Sequence, residues 1–471
     1  MSVSHEPGSW ASPHLYKLQF CLFSLIIFAS ANGYDGSLMG CLQALPLWQT
    51  FMKNPTGAYL GIINAIYWFG MLFSYLFSAS LSNRYGRKLS LYIGILMIAV
   101  ASALQAAANN EAAFIVSRAL AGCAAGLWSS TAPVLISEVA YPSHRAIVSA
   151  LYQCGFYIGS TLAAWVTLGT YNVNTSWSWR IPSLIQVVLP LLALPGLIMA
   201  PESPRWLFSQ GRSEEAIQVL ATWHAAGDLQ APVVNTQVQD IRSSMEGEVE
   251  AAKASYADMV KTKGNRRRLL ITLTLALFSQ WGGNGVVSFY LVPILGTIGI
   301  TDAKTQLVIT ACLAIWNLLF SVGSASMVDR FGKRPMFLLS AGTMLASYVA
   351  ITALSASFAE NGNKAVGIAI WTYNLRSRGL TLVWTAAASL ASFNILVNPI
   401  ALEAIAWKFY FVFMGVIVAY GLTAYFIYPE TRGYSLESIA VLFDKKDVIQ
   451  GAIDDSMVTG KAEKPEDEVL D

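Results

Sequence analysis

Charge is the scarcest ingredient of this 471-residue chain. Asp, Glu, Lys and Arg together make up 12% of it, about half the share of a soluble domain, whereas 55% of the residues are hydrophobic and the mean hydropathy is +0.50. That balance excludes a water-soluble globule and places the chain in a bilayer. The net charge of +2 identifies no partner, because in such a chain the positions of Lys and Arg matter more than their sum. Histidine is also scarce, with four scattered copies, and the five cysteines (Cys21, Cys41, Cys123, Cys154 and Cys312) sit in or beside apolar runs. Neither set has metal-ligand spacing, so the cysteines read as small core residues and no metal site is expected. Neither an activated nucleophile nor a phosphate-cradling glycine loop is present, so no enzyme and no cofactor is expected, and nothing points to nucleic acid. The polar stretch 1–14 lacks a signal-peptide pattern, which leaves the first apolar run as a retained span.

What the chain has in abundance is apolar runs of membrane-crossing length. They cover residues 18–39, 59–79, 89–107, 113–136, 147–168 and 181–200, then 270–295, 307–327, 336–354, 380–400 and 409–428. The pattern predicts an all-α integral membrane protein. Its parts are a cytoplasmic N-terminus (1–17), a six-helix half (18–200), a cytoplasmic linker with amphipathic surface helices (201–268), a second half (269–428) and a cytoplasmic tail (429–471). Basic residues set the orientation. "NRYGRK" (83–88), His144 with Arg145, and the linker fall on alternate loops, while the loops between them are nearly free of Lys and Arg. Those basic loops, and "DRFGKR" (329–334), are therefore expected in the cytoplasm. The triplet Asn174, Thr175 and Ser176 then lies in an outside loop, which makes Asn174 a candidate glycosylation site.

The two halves echo each other. "NRYGRK" follows the second span and "DRFGKR" the eighth, and "EVAYPSHR" (138–145) has its counterpart in "AIWTYNLR" (369–376). Internal six-helix repeats are the architecture of many secondary transporters. The interval from Ala107 to Arg145 is 38 residues, but that from Leu354 to Arg376 is 22, so the second half is 16 residues short, and Ala369 stands where the first half has Glu138. The apolar run 365–375 makes a helix of about 16 Å, against about 30 Å of bilayer core. The tenth span is thus expected to be missing or truncated, leaving about 11 transmembrane helices. Three readings of the deficit stay open. Residues are omitted from the written sequence through a misplaced intron; or the protein truly lacks the span; or 365–375 threads inward as extended chain, which is tolerable only where it is shielded from lipid.

Seven motifs in order carry a family resemblance: "GYDG" (33–36), "NRYGRK", "RALAGCAAG" (118–126), "SEVAYPSHR" (137–145), "PESPRWL" (201–207), "DRFGKR" and "YPETRGYSLESI" (428–439). Over about residues 18–439 the chain resembles the sugar porter family of the major facilitator superfamily, most closely its fungal lactose-permease-like and hexose-transporter-like members. The resemblance implies the two-half major facilitator fold. It also implies proton-coupled import of a hexose or a disaccharide such as lactose by alternating access, a plasma-membrane location, and a monomer whose partners are a sugar, a proton and lipid. Departures from the family pattern are Asn83 in place of an acid, Ala79 and Ala325 in place of glycine, Ser279 in place of the first of two glutamines, and Asn284 one residue early. The missing tenth span, which in the family bears an aromatic residue of the sugar pocket, implies impaired transport.

Asp35 is the only acid in the first span, and ionisable groups within the membrane are functional candidates. Arg118, at comparable depth in the fourth span, is its expected partner; the resemblance implies that the acid takes up the proton, and a static salt bridge is the alternative. Sugar hydroxyls call for side-chain amides. The spans offer Gln153, Gln280, Asn284, Asn317 and, four apart on one helix face, Asn394 and Asn398. Gln153, Gln280, Asn317 and Asn394 match the sugar-ligand positions that the resemblance implies, while any one amide alone could instead be interhelical glue. Trp281 and Tyr290 read as core packing, and Gly122 with Gly126 as a helix contact. Arg84, Arg87, Glu138, Arg145, Glu202, Arg205, Asp329, Arg330, Arg334 and Glu430 crowd the cytoplasmic ends. For these the resemblance implies an ion-pair gate that latches the halves, with topology signalling as the alternative. Two other functions stay open: export of a small, glycosylated metabolite, and sugar sensing without transport, against which stands a tail of only about 43 residues after Tyr428. Sequencing of the full-length transcript across codons 365–371 is expected to recover about 16 further codons; a transcript identical to the written sequence refutes the omission.

Overall fold

The computed structural model describes residues 15–252, 263–282, 289–297, 300–331, 333–361, 394–395, 397–399, 401 and 406–428. Among them the regular elements are all helical. The first half holds α1 (Tyr16–Leu42), a short α2 (Pro46–Phe51), α3 (Gly57–Tyr85), α4 (Arg87–Ala107), α5 (Glu111–Val139), α6 (Arg145–Thr170), α7 (Trp177–Ile185) and α8 (Val188–Met199). Three helices of the linker follow: α9 (Pro204–Ser209), α10 (Ser213–His224) and α11 (Pro232–Ala252). Then come α12 (Lys263–Trp281), α13 (Leu291–Thr297), α14 (Ala303–Phe331), α15 (Lys333–Asn361) and α16 (Tyr410–Phe426). The expected loss of the tenth span concerns residues 362–393, which lie outside the described residues.

Among the described residues, six helices are long and apolar enough to cross a membrane: Gly57–Tyr85, Arg87–Ala107, Glu111–Val139, Ile147–Thr170, Trp177–Met199 and Ala303–Gly323. Local chemistry sets their ends and breaks. α5 begins where the Asn110 side chain accepts the N–H of Ala113 at 2.8 Å, and Glu111 in its first turn complements the helix dipole. α7 and α8 form one span interrupted at Gln186 and Val187, with Pro182 and Pro195 inside the two pieces. Proline removes a main-chain donor. At this break the Gln186 amide donates to the Ser183 carbonyl at 2.7 Å and to Gln105 Oε1 on α4 at 3.2 Å. Phe69, Phe73, Leu76, Leu96 and Leu104 stay exposed, as a lipid-facing surface requires.

Within the first half the helices meet at backbone distance. α1 packs along α6 and α8, and α5 takes α3 on one side and α4 on another. Gly159 shows why small residues are needed: a Cβ there would lie 1.7 Å from the Ser30 carbonyl oxygen on α1. Side chains fill what remains, with Phe28, Tyr67, Ile98, Trp128 and Leu135 in one buried cluster. A second cluster joins the halves, bringing Tyr34, Leu38, Trp48 and Ile63 against Phe289, Tyr290, Leu295, Phe413 and Ile417. It lies toward the end of the bundle opposite the basic loops, hereafter the far end. At the basic end the corresponding clusters stay within their own parts: Tyr420, Ala424 and Tyr428 with Phe278 and Phe337 in one, Leu207, Phe208 and Ala216 of the linker in another.

Gly159→Val is expected to destabilise the fold by about 1–3 kcal/mol, the usual range for overpacking. Gly169→Val on the same helix, where an added Cβ meets nothing within 4 Å, is expected to be near neutral. Thermal unfolding in detergent compares the two.

Candidate functional site

Asp35 stands where α1, α3 and α5 meet, with no exposure to solvent, and Arg118 of α5 is as deeply enclosed at 1%. The guanidinium does not reach the carboxylate. Arg118 Nη2 donates instead to the main-chain carbonyl of Asp35 at 3.3 Å, and its Cζ lies 4.7 Å from the ring centroid of Tyr67 on α3. The Tyr67 hydroxyl donates to Asn32 Oδ1 at 3.0 Å. Both carboxylate oxygens of Asp35, and Nε and Nη1 of Arg118, have no hydrogen-bond partner. The structure therefore places the two expected residues side by side and joins them through the backbone.

The amides are distributed over both halves. Gln153 lies half-buried on α6, Asn317 half-buried on α14, and Gln280 half-buried on α12. A contact between halves brings the first two helices together: Ser321, one turn beyond Asn317, donates through Oγ to the Sγ of Cys154, the neighbour of Gln153, at 3.5 Å. Buried Asn394 donates to the main-chain oxygen of Gln280 at 2.6 Å. Asn398 has no exposure, and neither polar atom of its amide has a partner. Asn284 lies outside the described residues.

At the far end, polar groups reinforce the apolar closure between halves. The Gln43 amide, just past α1, donates to the Phe289 carbonyl at 3.0 Å and to Asn64 Oδ1 at 3.4 Å. Trp68 meets the Phe289 ring edge-on, with centroids 5.9 Å apart. The Tyr290 hydroxyl donates to the Ile395 carbonyl at 2.5 Å.

The basic end holds an ion pair extended by hydrogen bonds. Arg87 pairs with Glu138 of α5 at 3.1 Å and donates to the Ser82 carbonyl and Asn83 Oδ1 at 3.0 and 2.9 Å. Glu202 accepts from the main-chain N–H groups of Arg87 and Lys88 at 3.1 and 3.2 Å. A carboxylate thus covers the first turn of α4, which the helix dipole favours. Arg205 donates to Ser244 Oγ at 3.2 Å. Arg84 and Arg145 are exposed, the former beside the Tyr85 ring at 5.3 Å. Asp329, Arg330 and Arg334 fall where α14 gives way to α15; their side chains and all of Glu430 lie outside the described residues. Asn174 is exposed between α6 and α7.

A family model for sugar (and other) transporters matches residues 21–375 and again 369–443. This chain belongs to that family. The match breaks at 369–375, within the interval where the second half of the repeat is short. Among the transporter's relatives is the high-affinity glucose transporter of Kluyveromyces lactis, 27% identical over 91% of this chain and 85% of that one. Another is the MFS-type transporter oryC of Aspergillus oryzae, 29% identical over 81% of this chain and 76% of that one. Among solved structures, the proton:xylose symporter XylE bound to 6-bromo-6-deoxy-D-glucose superimposes with a TM-score of 0.69 at 20% identity, covering 90% of this chain and 99% of that one. The same protein from E. coli in a partially occluded inward-open conformation gives 0.66 at 21% identity, covering 90% and 100%. The transporter is thus a multi-pass membrane protein with the major facilitator fold.

Four residues of the site fall outside the sequence-based set: Asn32 and Tyr67 around Arg118, and Gln43 and Asn64 at the far-end closure. Asn32 carries a faint signal, being with Gln19 one of two side-chain amides in the first span; Tyr67 carries none in a chain with 12% aromatics. Removing one partner of an enclosed ion pair costs about 3 kcal/mol or more. Glu138→Ala is therefore expected to destabilise the transporter by about that amount, and Arg87→Met added to it is expected to recover a large part. A double-mutant cycle read by thermal unfolding checks the pair.

Proposed function

We propose that this transporter imports a hexose together with a proton by alternating access across the plasma membrane, working as a monomer. Residues 18–200 and 269–428 are the two halves that rock against each other, with the basic end in the cytoplasm. Gln153, Gln280, Asn284, Asn317, Asn394 and Asn398 bind the sugar hydroxyls from both halves. The basic cluster is the cytoplasmic gate, in which the Arg87–Glu138 pair ties α4 to α5. The name of the Kluyveromyces lactis relative, a glucose transporter, supports the hexose over a disaccharide.

The observation that carries the reading is the Asp35 carboxylate, wholly enclosed and without a hydrogen-bond donor, beside an equally enclosed guanidinium. Two charges buried together without pairing are poor construction for stability alone. They suit a group whose charge comes and goes. When the carboxylate is ionised it attracts Arg118 and draws α1 toward α5; when protonated it releases the guanidinium, and the balance between the two openings shifts. The name of the structural neighbour XylE, a proton:xylose symporter, is in keeping with this. In vesicles, Asp35→Asn is expected to abolish sugar accumulation driven by a pH gradient while sparing sugar exchange. Accumulation equal to the parent's refutes the proton role.

A further inference from the structure

Tyr67 belongs to no motif, yet it meets both Arg118 and the stretch of α1 that carries Asp35. Gly122, one turn beyond Arg118 on α5, makes room for it: a Cβ there would lie 1.9 Å from the Tyr67 carbonyl oxygen. α3 and α5 therefore meet backbone to backbone at this level, which sets the Tyr67 ring against the guanidinium, 4.7 Å from Cζ. The ring is tethered at its other end, where the hydroxyl donates to Asn32 Oδ1 at 3.0 Å, three residues before Asp35 on α1. Arg118 is thus held by an aromatic face and by the Asp35 main-chain carbonyl, while the carboxylate itself receives nothing.

We infer that Tyr67 is a positioning residue of the proton site, its tethered ring forming a second seat that holds the Arg118 guanidinium off the Asp35 carboxylate. The inference rests on Asp35 being the proton acceptor. A guanidinium sealed from water must be compensated somewhere. If the carboxylate were its only partner, the pair would lock. An aromatic face attracts a cation without bringing a charge of its own, and does so most strongly where water is excluded. With two resting places of similar depth, the guanidinium moves when the carboxylate gains or loses its proton. The other groups around Asp35 do not compete for this role. Tyr34, beside it on α1, donates to the Pro182 carbonyl at 2.9 Å. α6 brings Phe156 and Ser160 against α1, and neither carries charge.

Infrared difference spectroscopy on the purified full chain tests the second seat without requiring transport. The C=O stretch of protonated Asp35, assigned by its loss in Asp35→Asn, is titrated against pH. Tyr67→Leu and the longer, more flexible Tyr67→Met both remove the ring, so Arg118 falls back on the carboxylate. Each is expected to move the titration to lower pH by about one unit, a tenfold change in proton affinity. Tyr67→Phe keeps the ring and loses only its tether to Asn32, and is expected to move the titration by less than the Leu and Met variants do. An unmoved or raised titration in the folded Leu or Met variant overturns the second seat. If the titration moves as expected but Asp35→Asn still accumulates sugar on a pH gradient, the seat stands and the proton-coupling reading fails.

Discussion

A polar group inside a lipid-embedded bundle has to find its partner within the protein, and the Asp35 carboxylate has found none. Other cations of the first half do reach partners. Arg87 has Glu138, the Ser82 carbonyl and Asn83. Arg180 closes the end of α4 by donating to the carbonyls of Ala106 and Ala108 at 2.8 and 3.1 Å. Among the described residues, Asp35 is the one fully buried carboxylate left without a hydrogen bond, and it lies next to the guanidinium best placed to supply one. An arrangement that forgoes so available a bond fits the proposed role, in which the bond forms in another state of the molecule.

The spans and the Asp35 site were legible in the sequence for the same reason: a charge inside an apolar run stands out. Depth in the bilayer can be counted along a helix, so Arg118 could be assigned to the level of Asp35. Counting does not say which atom of Asp35 the guanidinium meets, and the answer proved to be the main-chain oxygen. Tyr67 stayed hidden because its role depends on how closely α3 approaches α5, and that is decided by Gly122 on another helix. Gln43 was equally silent, since a glutamine at a helix end looks like any loop residue until Phe289 is found opposite it. The amides show a mixed outcome. Asn394 does contact the helix of Gln280, but through the latter's main chain, which is the contact that the interhelical-glue reading describes. The stretch on which the tenth span depends lies outside the described residues.

Contacts within the first half differ in kind from the far-end contacts between halves. Inside it, α1 and α6 approach until a single methyl group would collide with backbone, as at Gly159, and α3 and α5 do the same at Gly122. Packing of that sort has one solution, because no side chain can rotate to accommodate a slip. Between halves the far end is closed by side chains: the edge of Trp68 on Phe289, the Gln43 amide, and the apolar cluster around Tyr290. Such contacts can part and re-form with a few rotamer changes. Rigid rods joined by a separable seam are what alternation between two openings needs.

α1 connects the seam to Asp35, the proposed proton site. Gln43 follows Asp35 by eight residues, about 12 Å along a helix, and Leu38 between them belongs to the cluster that joins the halves. The same helix is welded to α6 along Gly155 and Gly159, so it cannot bend away from a force applied at Asp35. A pull on α1 toward α5 is therefore carried to the clasp on Phe289 as a rigid displacement. Coupling between proton and seam then needs no chain of intermediate side chains, only one stiff element with the two ends of the problem on it.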